Sequence, residues 1–260
     1  MSEDGRARQV NEERFTATAA SYASSKVATR DAEMAALLRL GAPAGEDRVL
    51  DVACGPGVVL GVLAPRVRFA AGVDLTAAML AQARQRFAAS PGVRAPALVR
   101  GEAAQLPFRD GAFSLAVTTF ALHHFGDARR VVREMVRVTA PGGRVVIADL
   151  VGVDDERALA LQNEIERLRD PAHIEMRNTR GIEALLAAEG LRVTGRADGG
   201  TPRELGEWLR LSHTPADHAR AVRERMLATL PGDRAGMAVT ADGDTVRFVH
   251  RWAVVAAGKP

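Results

Sequence analysis

Three acidic positions and a pair of histidines stand where loops follow apolar runs, and their types suggest ligand chemistry more than packing. The first is Asp51, which opens Asp51-Val-Ala53-Cys54-Gly55-Pro-Gly57 directly after a short apolar run. Glycines in such a turn let backbone N–H groups approach a ligand closely, so the turn predicts a nucleotide-like ligand, although an ordinary tight turn would use the same glycines. A dinucleotide fingerprint needs a third glycine where Leu60 stands, and a phosphate-cradling NTPase loop needs a Gly-Lys-Ser/Thr ending that the chain lacks. Asp74 closes the next apolar run. A carboxylate there can accept from both hydroxyls of a ribose, or instead face the start of the following helix. Glu102 follows the third run beside Ala103, where a carboxylate and a free backbone N–H match the donor and acceptor of an adenine edge. A loop with one solvated acid is the plainer reading. His123 and His124 follow the fourth run in FALHHF.

The elements that position these groups alternate. RVLDVA (48 to 53), RFAAGVDL (68 to 75), PALVRGEA (96 to 103), FSLAVTTFAL (113 to 122) and GRVVIADLV (143 to 151) read as buried parallel strands. VVLGVLAPR, the run after Thr76 and DARRVVREMVRVT read as helices between them. This alternation predicts an open α/β sheet with helices on both faces, since right-handed crossovers join parallel neighbours. Further helices are expected at 154 to 169, 179 to 189, 202 to 212 and 215 to 229, with strands at 190 to 197 and 245 to 257. Residues 1 to 26 are polar apart from a helical stripe of Phe15, Ala19 and Tyr22, which suits a lid or latch.

Composition narrows the classes. With 260 residues, 47% hydrophobic and 26% charged, the chain is globular, and no apolar run is long enough to span a membrane. The N-terminus has no apolar signal core, so a soluble cytoplasmic protein is expected. The pI near 9.7 accompanies a net charge of only +3, with arginines scattered along the chain, which argues against nucleic acid. A single Cys54 and no Cys/His spacing of the zinc type argue against a disulfide or a metal. Cys54 itself reads as a small packing residue and not a nucleophile.

Taken in order, VLDVACGPG, GVDLTAAML, GEAAQLPFRDGAFSLAVTTFALHHF and APGGRVVIADL closely resemble the class I S-adenosylmethionine-dependent methyltransferases, nearest to the type-11 group that includes ubiquinone/menaquinone C-methyltransferases. The resemblance implies a doubly wound, Rossmann-like seven-stranded sheet with an antiparallel last strand and helical cap elements. It implies residues 1–45 as an N-terminal helical lid, and 46–260 as the catalytic domain with cap insertions at 152–180 and 200–230. S-adenosyl-L-methionine is the implied cofactor. By position, Ala53, Gly55 and Gly57 would line its methionine part with Asp51 near the ammonium. Asp74 would take the ribose, Leu75 and Met79 would pack on the adenine, Glu102 and Ala103 would read its edge, and Thr119 with Phe120 would flank the amine. Two positions depart from the family pattern: Ala53 replaces the first glycine, and Glu102 stands where aspartate is more usual.

The implied reaction is methyl transfer to O, N or C of a small-molecule metabolite, with the protein a monomer or homodimer. A base is needed only where the acceptor holds a proton. His123 with Tyr22 could form such a pair, by similarity to phosphoethanolamine methyltransferases. Asp149 and His173 are further pocket candidates, while His213, His218 and His250 read as surface or core residues. Trp208, Leu209 and Leu211 could form an apolar acceptor wall, though Trp208 also suits core packing. The low aromatic content, 4%, disfavours an RNA acceptor. A protein of the same fold that binds the cofactor but catalyses a pericyclic or isomerising step would carry identical cofactor residues. An NAD-dependent oxidoreductase is disfavoured by Leu60.

Overall fold

A computed structural model describes residues 3–24, 31–90, 94–230 and 232–260. Five strands follow the expected runs: β1 (Arg48–Val52), β2 (Phe69–Asp74), β3 (Ala97–Arg100), β4 (Phe113–Thr119) and β5 (Thr139–Leu150). β6 (Arg192–Glu204), a short β7 (Thr240–Asp242) and β8 (Thr245–Gly258) complete the sheet, in the order β3-β2-β1-β4-β5-β8-β6. β1 to β5 pair in parallel, and β8 runs antiparallel to both β5 and β6. The seven-stranded arrangement with an antiparallel last strand is therefore present, with β7 added as an eighth strand along the start of β8.

Strand alternation divides the core between the two faces of the sheet. Val49, Leu115, Val146 and Val254 turn to one face, beneath α2 (Asp31–Gly41) and α3 (Val58–Leu63). Leu50, Ala116, Ile147 and Val255 turn to the other, beneath α5 (Ala128–Val138) and α7 (Thr179–Ala188). α5 shows why the sequence folds so: Val131, Val132, Met135 and Val138 recur at helical spacing and are buried, while its arginines face outward. Asp127 caps it by accepting from the Arg130 N–H at 2.9 Å. Four more helices follow the expected pattern: α1 (Glu3–Ser24), α4 (Ala77–Ala88), α6 (Glu156–Arg169) and α9 (Ala216–Leu227), with α8 (Leu205–Leu211) before α9. A separate small core joins α6, α8 and α9 to β8 through Ile165, Trp208, Met226 and Phe248.

Three boundaries differ from the sequence reading. β6 does not end near 197 but continues to Glu204, which delays the next helix to Leu205. Gly199 and Gly200 look like turn residues, yet they lie mid-strand because bulk is excluded: a Cβ on Gly199 would sit 2.2 Å from the Trp252 ring. β5 begins at Thr139, ahead of the Pro141-Gly142-Gly143 segment that reads as a helix stop, and its register against β4 shifts between Phe113 and Leu115. The result matters for the site. β6 and the first half of β8 run on past the end of β5 as a two-stranded ribbon, with Gly199–Glu204 paired to Arg247–Trp252.

Candidate active site

One cleft of about 320 Å³ opens beyond the carboxyl ends of the parallel strands, where an open α/β sheet binds ligands. Ala53, Gly55, Asp74, Leu75, Met79, Glu102, Ala103, Thr119, Phe120, His123 and Tyr22 all line it. Gly57, Asp51 and His173 do not.

The turn after β1 is shaped by left-handed backbone. Gly55 and Gly57 have φ of +52° and +76°, and Ala53, in the place of a family glycine, is held at +59°. A Cβ on an alanine in that region costs about 1–2 kcal/mol, so the surrounding turn must enforce it. The turn is fixed from β2: Asp74 Oδ2 accepts from the Gly55 N–H at 2.8 Å, and Oδ1 accepts from the Thr76 N–H at 2.8 Å. Asp74 thus does what the plainer reading foresaw, meeting the next helix, while facing the cleft with lone pairs to spare. Burial raises its carboxyl above the usual range, and these two N–H donors counter part of that. Gly57 serves packing. A Cβ there would lie 3.0 Å from Phe87 and 3.2 Å from the Ala83 Cβ, so its bareness lets the turn rest on α4.

Asp51 is fully buried, and neither carboxylate oxygen has a hydrogen-bond partner among the described residues. Burial, and then the Asp74 charge, push its carboxyl well above the ordinary value. Cys54 is buried beside it. Burial and the same two carboxylates raise its thiol, which excludes a ready thiolate and agrees with a packing role.

The far wall carries histidines. The His123 backbone N–H donates to Asp149 Oδ2 at 3.0 Å, and ring Nδ1 lies 2.6 Å from Oδ1. Burial alone would raise Asp149, but the His123 ring and its hydrogen bond hold the carboxyl below its usual value. An ionised Asp149 is acceptor-only, so the ring hydrogen between the two groups sits on Nδ1. His124 is turned away from such a role: its Nδ1–H donates to the Ala172 carbonyl at 2.8 Å, and burial, then His123, lower its pKa to about 4. His173 stands behind the cleft, 5.5 Å from His123 between ring centroids, and its Nε2–H donates to Asn163 Oδ1 at 2.9 Å. Burial lowers its pKa to about 3. It is a core histidine in this arrangement. Among the described residues no three His, Cys, Asp or Glu side chains group to hold a metal.

α1 lies across the cleft. Arg8 pairs with Glu102 at 3.0 Å, Asn11 donates to the His124 carbonyl at 2.8 Å, and Phe15 packs edge-on against the His124 ring with centroids 4.9 Å apart. The stripe of Phe15 and Tyr22 continues this contact, with centroids 5.9 Å apart. Arg14 reaches Asp170 Oδ1 at 3.2 Å and the Ser212 carbonyl, tying α1 to the end of α6 and to α8.

Sequence reasoning missed the polar face of α6. Asn163, Glu166 and Arg169 are buried beside the apolar Leu161, Ile165 and Leu168 stripe. Glu166 accepts from Arg169 at 2.9 Å and bonds His250 Nε2 at 2.8 Å. Charged residues on a helix normally mark its wet side, so the only signal available was their three-residue repeat. Arg169, Arg203, Trp208 and His250 all line the cleft, Trp208 while packing on Phe248 in the cap core. His213 and His218 lie at the surface.

A methyltransferase-domain model matches residues 50–147, which run from within β1, through the turn, to within β5. YcgJ, an uncharacterized methyltransferase of Bacillus subtilis, is 30% identical over 212 residues, 82% of this chain and 83% of that protein. The chain belongs to the class I S-adenosylmethionine-dependent methyltransferases, in the type-11 group. The solved YcgJ structure superposes with a TM-score of 0.82 over 88% of this chain and 98% of that one, at 26% identity. A Bacillus halodurans C-125 structure, 24% identical, shares the fold with a TM-score of 0.83 over 88% of this chain and 99% of that one. Demethylmenaquinone methyltransferase of Beutenbergia cavernae is 39% identical, but over only 44% of this methyltransferase and 45% of its own length.

The residues present fit the cofactor of the family. Asp51 is a buried carboxyl without a partner, and a ligand ammonium is the kind of group that would let it ionise. A Cβ on Gly55 would meet nothing within 4 Å, so the turn leaves open space on its cleft side. Among the described residues no helix is long and apolar enough to cross a membrane.

Proposed function

We propose that this methyltransferase transfers a methyl group to a protonated O, N or C atom of a small metabolite, with His123 as general base. When bound, S-adenosylmethionine supplies an activated methyl carbon on sulfur. Ala53 and Gly55 would hold its amino-acid tail, with Asp51 behind them. Asp74 would bind the ribose hydroxyls, Leu75 and Met79 the adenine faces, Glu102 and Ala103 the adenine edge, and Thr119 and Phe120 the amine. Gly57 contributes by packing the turn and His173 by packing behind His123. Residues 1–45 act as the lid, and the segments 152–180 and 200–230 as the cap.

The observation that carries this reading is that His123, on the cleft wall, is bonded to the buried Asp149 behind it. Asp149 orients the ring, Nε2 takes the acceptor proton as the new bond forms, and Asp149 stabilises the imidazolium that results. Enclosure by α1 excludes water and aligns the acceptor, which is the main service a protein can offer an already activated leaving group.

The test is a methyl-labelled transfer assay on fractionated metabolite extract. Labelled product is expected in at least one fraction with the wild type and at least about 10²-fold less with His123→Ala. Cofactor binding with no transfer to any fraction would favour the pericyclic or isomerising alternative.

A further inference from the structure

The ribbon of β6 and β8 carries Arg203 onto the cleft wall. Its Nε is fully buried and without a hydrogen-bond partner, and the guanidinium makes no ion pair among the described residues. Burial draws its pKa down, Glu207 and Glu33 work against that without pairing with it, and the nearby Arg169 adds to it. Arg169 is in a different condition: stacked 4.6 Å over Trp208, it is matched by Glu166 at 2.9 Å and bonded to Ser212. An arginine cannot shed its proton at ordinary pH, so a half-buried guanidinium whose buried Nε–H has no partner is suited to an anion from outside the chain. Beside it Met34, Leu37, Trp208 and Leu211 supply apolar surface, with Glu33, Ser212 and His250 the polar groups of that wall.

We propose that the methyl acceptor has an apolar body bearing a carboxylate or phosphate, and that Arg203, with Arg169 behind it, receives that group. The word acceptor rests on the methyl-transfer reading, but anion capture at Arg203 can be measured without turnover. The guanidinium fork suits two-point contact with either anion.

The experiment is calorimetric titration of the protein saturated with S-adenosylhomocysteine, using benzoate, phenyl phosphate and the neutral benzamide as probes. At least one anion is expected to bind roughly tenfold or more tightly than benzamide. Arg203→Gln should erase that preference and Arg203→Lys should keep part of it, with S-adenosylhomocysteine affinity unchanged in both. The stronger of the two anions tells a carboxylate source from a phosphate one. Equal binding of all three probes to the wild type overturns the proposal, as does a preference that persists in a folded Arg203→Gln protein. Labelled-methyl transfer without anion preference sinks this inference alone, whereas anion preference without S-adenosylhomocysteine binding sinks the cofactor reading and leaves this one standing.

Discussion

Asp149 grips His123 at two points, taking the backbone N–H on one carboxylate oxygen and the ring Nδ1 on the other. The residue after β4 is thereby fixed to the end of β5, and the tautomer of a cleft-lining imidazole is set by a group that cannot donate. If His123 is the base, Asp149→Asn should lower turnover by about 10²-fold or more, because the amide can stabilise the wrong tautomer. S-adenosylhomocysteine affinity should stay within about threefold, a shift of well under 1.4 kcal/mol. Single-turnover kinetics and calorimetry check the two halves, and an unchanged rate would remove His123 from catalysis.

Asp74→Ala should weaken S-adenosylhomocysteine binding by about 1.5–3 kcal/mol, the scale of hydrogen bonds to a charged group. It should also lower the melting temperature, because the Gly55 and Thr76 N–H groups lose their acceptor. Asp74→Asn keeps one acceptor oxygen and should fall between. Wild-type affinity in the alanine variant would place the ribose elsewhere.

Gly57→Ala should destabilise the fold by about 2–4 kcal/mol, combining left-handed strain with overpacking against Phe87 and Ala83. Because Gly57 does not line the cleft, cofactor affinity of the folded fraction should be nearly unchanged. Denaturant titration with and without S-adenosylhomocysteine measures both, and a binding loss without a stability loss would restore Gly57 to the ligand.

Stability should fall on acidification before the carboxylates titrate. His124 and His173 have pKa values of about 4 and about 3 in the folded chain, below the ordinary 6.5, chiefly because of burial. The unfolded chain then binds more protons between those values and 6.5, so stability rises with pH there and is lost as pH drops. Each group contributes a slope of up to about 1.4 kcal/mol per pH unit in that window. His173→Gln should flatten the melting-temperature curve between pH 6 and 4.5, roughly the window above carboxylate titration. A curve as steep as the wild type's would mean that His173 is charged in the native state.

The parallel half of the sheet was legible because strands buried on both faces read as unbroken apolar runs, and because acids and glycines punctuate their ends. β1, β2 and β4 fall within a residue or a few of the expected runs. The acceptor side was legible only in outline. Gly199, Gly200 and Pro202 look like loop residues, and only their pairing with Trp252, Arg251 and Val249 makes them strand. Glu166 and Arg169 look solvated until the cap core closes over them, and Arg203 falls in what reads as the start of a helix. His173 reads as a pocket candidate from its place in the loop after the helix expected at 154 to 169. Asn163, ten positions earlier on α6, is what draws it inward.

Because β6 and β8 outrun their neighbours, the proposed cofactor and acceptor ends of the cleft rest on different parts of the sheet. The turn after β1 and the ends of β2 and β3 are anchored in the parallel part of the sheet, while the overhang is braced by its own pairing and by the cap helices α6, α8 and α9. Exchange of the cleft-facing side chains on the overhang, such as Arg203, is expected to change which compound binds there while the turn after β1 keeps its hydrogen bonds to Asp74.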